Sequence, residues 1–160
     1  MFKTAITTHG FNFPMQIGNI GDPRLGRMQS DTSKDAIVES IAIEDGDIVV
    51  MGSDGLWDNI FDTEIESILN SSAAGVVKID ELLTAADSSE ESCEAVKNVL
   101  DTTVKAIAMY TQKAYSSKTK KTPWSESVLK HYKSQRYAGG KSDDLTIIVT
   151  YFKKETVPTK

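Results

Sequence analysis

Apolar residues recur at spacings of three and four in the second half of the chain. They are Cys93, Val96, Leu100, Val104 and Ile107. This period is that of one face of an α-helix, and the Ser-x-x-Glu string at residues 88–91 is a typical helix start. The pattern predicts one long amphipathic helix that ends near Tyr115, with the Cys93 thiol buried and unreactive.

Shorter helices are predicted on both sides of it. Thr63-x-x-Glu66 is a second capping box, which predicts a helix from Thr63 to about Asn70. An apolar patch at Ile79–Leu83 indicates a short helix. Thr122 followed by proline suits an N-cap with proline at the first helical position, so a further helix is expected through Leu129.

Runs of β-branched residues predict the strands. Ala36–Ile43 and Asp47–Met51 flank Glu44-Asp45-Gly46, and the Asp-Gly pair has the turn geometry of a hairpin. Lys3–His9 is expected to be a strand, and Leu145–Phe152 a closing strand. Residues 10–34 are rich in Gly, Pro, Asn and Asp, which predicts a long irregular loop, either a flap over a site or a surface excursion.

Composition and charge exclude several classes of function. The chain has 160 residues, 39% apolar and 26% charged, which is typical of a packed domain. A net charge of -5 argues against a nucleic-acid partner. No apolar run reaches the roughly 20 residues of a membrane span, and the first ten residues have no signal-peptide core. Cys93 is the single cysteine, so no internal disulfide can form.

Two aspartates occupy equivalent places at the ends of predicted strands. Asp54 follows the strand Asp47–Met51, and Asp143 precedes the closing strand. If the two strands are antiparallel neighbours, both carboxylates meet at one end of the sheet, where Gly55 and Gly139-Gly140 permit close backbone approach. Such an oxygen-rich site suits magnesium or manganese. Aspartates at strand ends also commonly satisfy turn hydrogen bonds, so the pair alone does not decide.

The strings around these aspartates resemble a known family. Residues 47–59, DIVVMGSDGLWDN, and residues 139–149, GGKSDDLTIIV, are similar to the second-half motifs of the PPM, or phosphatase 2C type, metal-dependent protein phosphatases. Residues 8–16, THGFNFPMQ, resemble the H-x-F-N-x-P-x-Q stretch of that family's organellar, Ptc-seven-like branch. The resemblance covers nearly the whole chain.

The resemblance implies an α+β fold, part of the family's four-layer α/β/β/α sandwich with antiparallel sheets. It implies that Asp54 and Asp143, rather than Asp144, each bind one of two manganese or magnesium ions. Asp58 would be an outer-shell group or serve a third metal site. The implied activity is metal-dependent hydrolysis of phosphoserine and phosphothreonine in a phosphorylated protein substrate. The alternative is a non-catalytic, pseudophosphatase-like regulatory or binding domain.

Several family features are missing from these 160 residues. The first-half acidic pair, the D-G-x-G-G motif and the phosphate-binding arginine have no counterpart here. We therefore expect residues 1–160 to be the C-terminal portion of a single phosphatase domain, unable alone to assemble a competent two-metal site. We expect an intracellular location. The resemblance to the organellar branch is the sole reason to consider mitochondria.

Overall fold

The structure is a computed structural model. It describes residues 2–17, 30–71, 79, 82, 90–133 and 136–154. The chain divides into two compact units, Met1–Ala42 and Ile43–Lys160. The two aspartates of the candidate site both lie in the second unit. None of the helices in the described ranges is long and apolar enough to cross a membrane.

The first unit contains a very small hairpin. Strands β1 (Thr8–Gly10) and β2 (Phe13–Pro14) pair antiparallel, with Asn12 in the turn at φ 52°. The expected strand Lys3–His9 is therefore wrong except at its end. Its partner is only two residues long and one of them is proline, which has no N–H to donate to a ladder. A short 3-10 helix, Ser33–Asp35, follows.

A histidine and an aspartate join the ends of the loop in this unit. The His9 ring lies 2.8 Å from a carboxylate oxygen of Asp31, and the backbone N–H of Gln16 donates to the same carboxylate at 2.6 Å. The side chain of Asp31 is almost buried. These bonds give His9 a structural role. Much of the expected irregular loop, residues 18–29, lies outside the described residues.

The second unit places helices between the two strands of one sheet. Its elements in chain order are β3 (Ile48–Gly52), α1 (Asp54–Trp57), α2 (Asp62–Leu69), α3 (Glu90–Ser116), α4 (Pro123–His131) and β4 (Ile147–Tyr151). Strands β3 and β4 are antiparallel, with Gly52 opposite Ile147. The two strands that flank the candidate aspartates are thus direct neighbours, which meets the condition for the two carboxylates to lie at one end of the sheet.

Apolar side chains from α1, α2 and α3 form the core beneath this sheet. Leu56, Ile60, Ile65 and Ile107 are buried together, with Val50 and other partly buried side chains packed against them. Burying such side chains is the main stabilising contribution to the fold. The core lies directly under the turn that carries Asp54.

The long helix is confirmed, but its buried face differs from the prediction. The buried positions include Thr103, Ile107, Thr111 and Ala114, a stripe with a spacing of three and four, while Cys93 is exposed. The expectation of a buried thiol was wrong. The hydroxyls of the two threonines donate to backbone carbonyls one turn earlier, which lets polar residues occupy the buried stripe.

Helix α4 begins as predicted, whereas α2 begins one residue early. Thr122 caps α4, its Oγ1 accepting the Ser125 N–H at 3.1 Å. Helix α2 is capped by Glu64, whose carboxylate accepts the Phe61 N–H at 2.9 Å. The expected box of Thr63 and Glu66 was wrong because the N-cap is Phe61, so that Thr63 lies within the first turn. The predicted Ile79–Leu83 helix and the capping box at 88–91 fall largely outside the described residues.

The predicted hairpin of Ala36–Ile43 with Asp47–Met51 is wrong. Residues 36–43 carry no strand, although the turn at Asp45-Gly46 forms. Phe152, just beyond β4, bonds this turn instead, accepting the Gly46 N–H and donating to Asp47 O, both at 2.9 Å. The register of β3 is thus fixed by β4, and β-branched content alone does not supply a pairing partner.

Candidate metal centre

Strand β3 delivers two carboxylates to one end of the sheet. The strand ends at Gly52, and the chain turns at Ser53 into the single turn of α1. Asp54 is the first residue of that turn and Asp58 its C-cap, so the two lie four residues apart and on the same face. The side chain of Asp54 is 65% exposed, and that of Asp58 is 27% exposed.

Ser53 holds the segment before β4 against the end of β3. Its hydroxyl donates to Asp144 O at 2.7 Å and accepts the Thr146 N–H at 3.0 Å. The Ser53 N–H also donates to Thr146 O at 3.1 Å. One side chain therefore fixes the backbone on the C-terminal side of Asp143.

Asn59 holds the same segment on the N-terminal side of Asp143. Its Nδ2 donates to Lys141 O at 2.8 Å and to Gly55 O at 2.9 Å, and its Oδ1 accepts the Lys141 N–H at 2.9 Å. The Asn59 side chain is fully buried. It thereby ties the loop that carries Asp143 to the turn that carries Asp54.

Two glycines allow these segments to come so close. A side chain at Gly55 would meet the backbone carbonyl of Asp144, and one at Gly140 would meet Tyr115 Cα and the Asn59 side chain. The sequence predicted close backbone approach at both positions, and the structure confirms it. Glycine is required here for space.

The ammonium group of Lys141 joins all three candidate carboxylates. Its Nζ lies 3.2 Å from Asp54 Oδ2, 3.0 Å from Asp58 Oδ2 and 3.0 Å from Asp143 Oδ2. It also lies 4.9 Å from the centroid of the Trp124 ring. The Lys141 side chain is only 19% exposed, so these contacts form in a partly desolvated environment.

This arrangement shifts the pKa of three of these groups. Burial alone would lower the pKa of Lys141, but hydrogen bonds to Asp143, Asp58 and Asp54 raise it well above its usual value. The hydrogen bond from Lys141 lowers the pKa of Asp143. Burial raises the pKa of Asp58, an effect that outweighs its contact with the ammonium group.

The chemistry of these side chains fits a hard cation, although the number of ligands is small. Carboxylate oxygens from two segments surround one positive charge, and such oxygens are the ligands that magnesium and manganese prefer. Within the described ranges, no group of three or more His, Cys, Asp or Glu side chains is arranged to hold a metal ion. Asp54 and Asp143 are thus brought together as predicted, and their role as ligands stays a prediction.

Sequence reasoning missed the residues that organise the aspartates. Lys141 was noted only as one letter of the GGKSDD string, and Asn59 as the last letter of SDGLWDN. A lysine two residues before a candidate ligand was the available signal for an internal counter-charge. The contacts of Ser53 and Asn59 had no such signal, because they depend on a pairing of distant segments.

A cavity opens beside Asp143. It measures about 350 Å³ and is lined by Ala108, Met109, Gln112, Tyr115, Asp143, Asp144 and Leu145. The outer helix α3 supplies most of its wall. The cavity adjoins the candidate centre on the side of the β4 segment.

The chain is similar to proteins that are named as protein phosphatases 2C. No protein-family model matches it. It is 33% identical to "Probable protein phosphatase 2C 1" of Oryza sativa subsp. japonica, over 99% of its own length and 41% of that protein. It is 29% identical to "Probable protein phosphatase 2C 55" of Arabidopsis thaliana, over 94% of its own length and 26% of that protein.

A solved structure agrees with these matches. "X-ray structure of the photosystem II phosphatase PBCP" matches with a TM-score of 0.65 and 26% identity, over 96% of this chain and 51% of that one. The chain thus spans about half or less of the length of the proteins it matches. The matches confirm the α+β fold class and the resemblance to phosphatase 2C proteins.

Proposed function

We propose that this chain, as a relative of the phosphatase 2C proteins, contributes half of the catalytic centre of a metal-dependent protein serine/threonine phosphatase. The observation that carries the proposal is the meeting of Asp54 and Asp143. These residues are far apart in the sequence, yet each lies within hydrogen-bond distance of the same Lys141 ammonium group. The substrate would be a phosphorylated protein.

The residues of this chain would have distinct roles. Asp54 and Asp143 would hold two divalent cations, manganese or magnesium, and Asp58 would act behind them or at a third metal. Bound cations of this kind activate a water molecule for in-line attack on phosphorus and neutralise charge on the phosphoryl oxygens. Ser53 and Asn59 keep the loop of Asp143 in register with Asp54, so that both carboxylates stay at fixed positions.

The remaining ligands would come from sequence outside these residues, since the relatives are at least about twice as long. The first half of the phosphatase domain would also supply the group that binds the substrate phosphate. We therefore expect residues 1–160 alone to be inactive. By the complete protein we mean the full gene product that contains residues 1–160.

Substitution of the two aspartates tests the proposal. In the complete protein, Asp54→Asn and Asp143→Asn should each reduce manganese-dependent hydrolysis of a phosphothreonine peptide by at least about 100-fold, because a ligand is lost. Asp144→Asn is the matched control, since the neighbouring carboxylate is not assigned to a metal, and it should retain most activity. Full turnover in both ligand variants would refute the proposal.

A non-catalytic regulatory domain is the second candidate. One observation favours it: the three carboxylates share the ammonium group of Lys141, which offsets part of their mutual repulsion without a metal. Calorimetry with manganese on the complete protein separates the two. Binding together with hydrolysis supports the enzyme, and a folded protein that binds no manganese supports the regulatory domain.

A further inference from the structure

We infer that Lys141 is a built-in competitor for metal: its ammonium group occupies the carboxylates of the centre and must leave them when divalent cations bind. The inference rests on the proposed function, because it takes Asp54 and Asp143 as ligands. It makes Lys141 part of the centre, as the residue that controls how tightly metal is bound.

The geometry is the first support. One ammonium group reaches three carboxylate oxygens at 3.0–3.2 Å, from Asp54, Asp58 and Asp143. A divalent ion bound by the same carboxylates would lie close to the ammonium group, and the two positive charges repel each other strongly at such a distance. Metal binding therefore requires the ammonium group to move.

Hydrogen bonds fix the backbone of Lys141, whereas ion pairs as well as packing hold its side chain. Asn59 bonds both the N–H and the carbonyl of Lys141, at 2.9 and 2.8 Å. Displacement would therefore be a change in side-chain rotamers on a stationary loop. The loop of Asp143 can stay in place while the ammonium group leaves.

Trp124 supplies a reporter of this movement. The ammonium group lies 4.9 Å from the centroid of its ring, a cation–π contact. Trp124 is one of two tryptophans in the chain. Removal of the nearby positive charge changes the electrostatic environment of the indole, so its emission should change when a diamagnetic ion such as magnesium binds.

Lys141→Met tests the inference in the complete protein. Without the competing charge, magnesium and manganese should bind about 10-fold more tightly, since the centre no longer pays to release an ion pair. The metal-free variant should unfold at a lower temperature, because three carboxylates then lack their counter-charge. The magnesium-induced change in tryptophan emission should be present in the wild type and lost in the variant.

Lys120→Met is the matched control. Lys120 also combines a carboxylate with an aromatic ring, bonding Glu64 at 2.6 Å and lying 4.9 Å from the Tyr110 centroid. Its loss should leave metal affinity and the emission response unchanged. Lys141→Arg is a second variant, for use if Lys141→Met fails to fold. It keeps the positive charge and should bind metal with close to the wild-type affinity.

The outcomes separate this inference from the proposed function. A folded wild type that binds neither ion overturns both. A wild type that binds metal, with Lys141→Met binding equally or more weakly, overturns only the inference. Tighter binding by Lys141→Met with no emission change in the wild type would also overturn it, because the ammonium group would not have moved.

Discussion

The side chain of Asn59 forms hydrogen bonds with both the N–H and the carbonyl of Lys141, a residue 82 positions later in the sequence. This one contact connects the turn of Asp54 with the loop of Asp143. The Asn59 side chain is buried, and a buried polar group without a partner is costly. The relationship therefore contributes both to the stability of the second unit and to the separation of the candidate ligands.

Asn59→Ala should destabilise the second unit by about 2 kcal/mol, because the N–H and carbonyl of Lys141 lose their partners. The measurement is the free energy of unfolding in urea. Asn98→Ala is the control, since Asn98 is exposed on α3 and its side chain is not buried. Equal stability of the two variants would show that Asn59 does not hold the loop.

Gly140→Ala should be destabilising by about 1–3 kcal/mol, because its methyl group would meet Tyr115 Cα and the Asn59 side chain. Gly10→Ala is matched to it, since a side chain there would meet nothing within 4 Å. Thermal unfolding of the two variants checks the prediction. Similar melting temperatures would contradict the close approach seen at Gly140.

Thr122→Ala should cost about 1–2 kcal/mol, since Thr122 caps α4 and its hydroxyl also donates to Gly139 O at 2.8 Å. Thr122→Ser keeps the hydroxyl and should restore most of the stability. Urea unfolding followed by circular dichroism measures both. If serine is no better than alanine, the hydroxyl has no role and the loss is one of packing.

Glu64→Gln should alter the acid dependence of stability. Burial raises the pKa of Glu64, but hydrogen bonds from Lys120, Tyr110 and the Phe61 N–H outweigh it, so the pKa lies below its ordinary value of 4.5. A carboxyl group with a lowered folded pKa stabilises the fold above the unfolded value, and this stability is lost as pH falls through the folded value.

The variant should therefore be less stable than the wild type at pH 7, by about 1–2 kcal/mol, and the difference should shrink below about pH 4.5. Unfolding by urea at a series of pH values is the measurement. Glu94→Gln serves as the control, because the contact of Glu94 with Lys97 is exposed and 3.8 Å long. A constant difference across the acid range would contradict the lowered pKa.

Local sequence signals predicted what depends on local structure. The Thr122-Pro123 start, the period of α3 and the strands beside Asp54 and Asp143 were all read correctly, because capping and side-chain period act within a few residues. The pairing of β3 with β4 was only a condition for the two aspartates to meet, and the structure supplies it. The family resemblance of the motifs, rather than the residue pattern alone, predicted that both aspartates belong to one site.

Features that depend on distant partners were not predicted. Residues 36–43 have strand-like composition, but the turn that follows is bonded to Phe152. The exposure of Cys93 depends on which stripe of α3 meets the core, and the apolar period placed Cys93 on the buried stripe, which was wrong. The position of Lys141 depends on the Asn59 contact, which no local pattern contains.

The hydrogen bond of Ser53 to Asp144 O also has a consequence for the order of events during synthesis. It joins residues 91 positions apart, and closing a loop of that size costs about 4 kcal/mol of chain entropy beyond the constant term. Such non-local contacts form late. A nascent chain that has emerged only through α4 carries Asp54 and Asp58 but neither Lys141 nor Asp143. The centre can therefore assemble only after Asp143 has emerged from the ribosome.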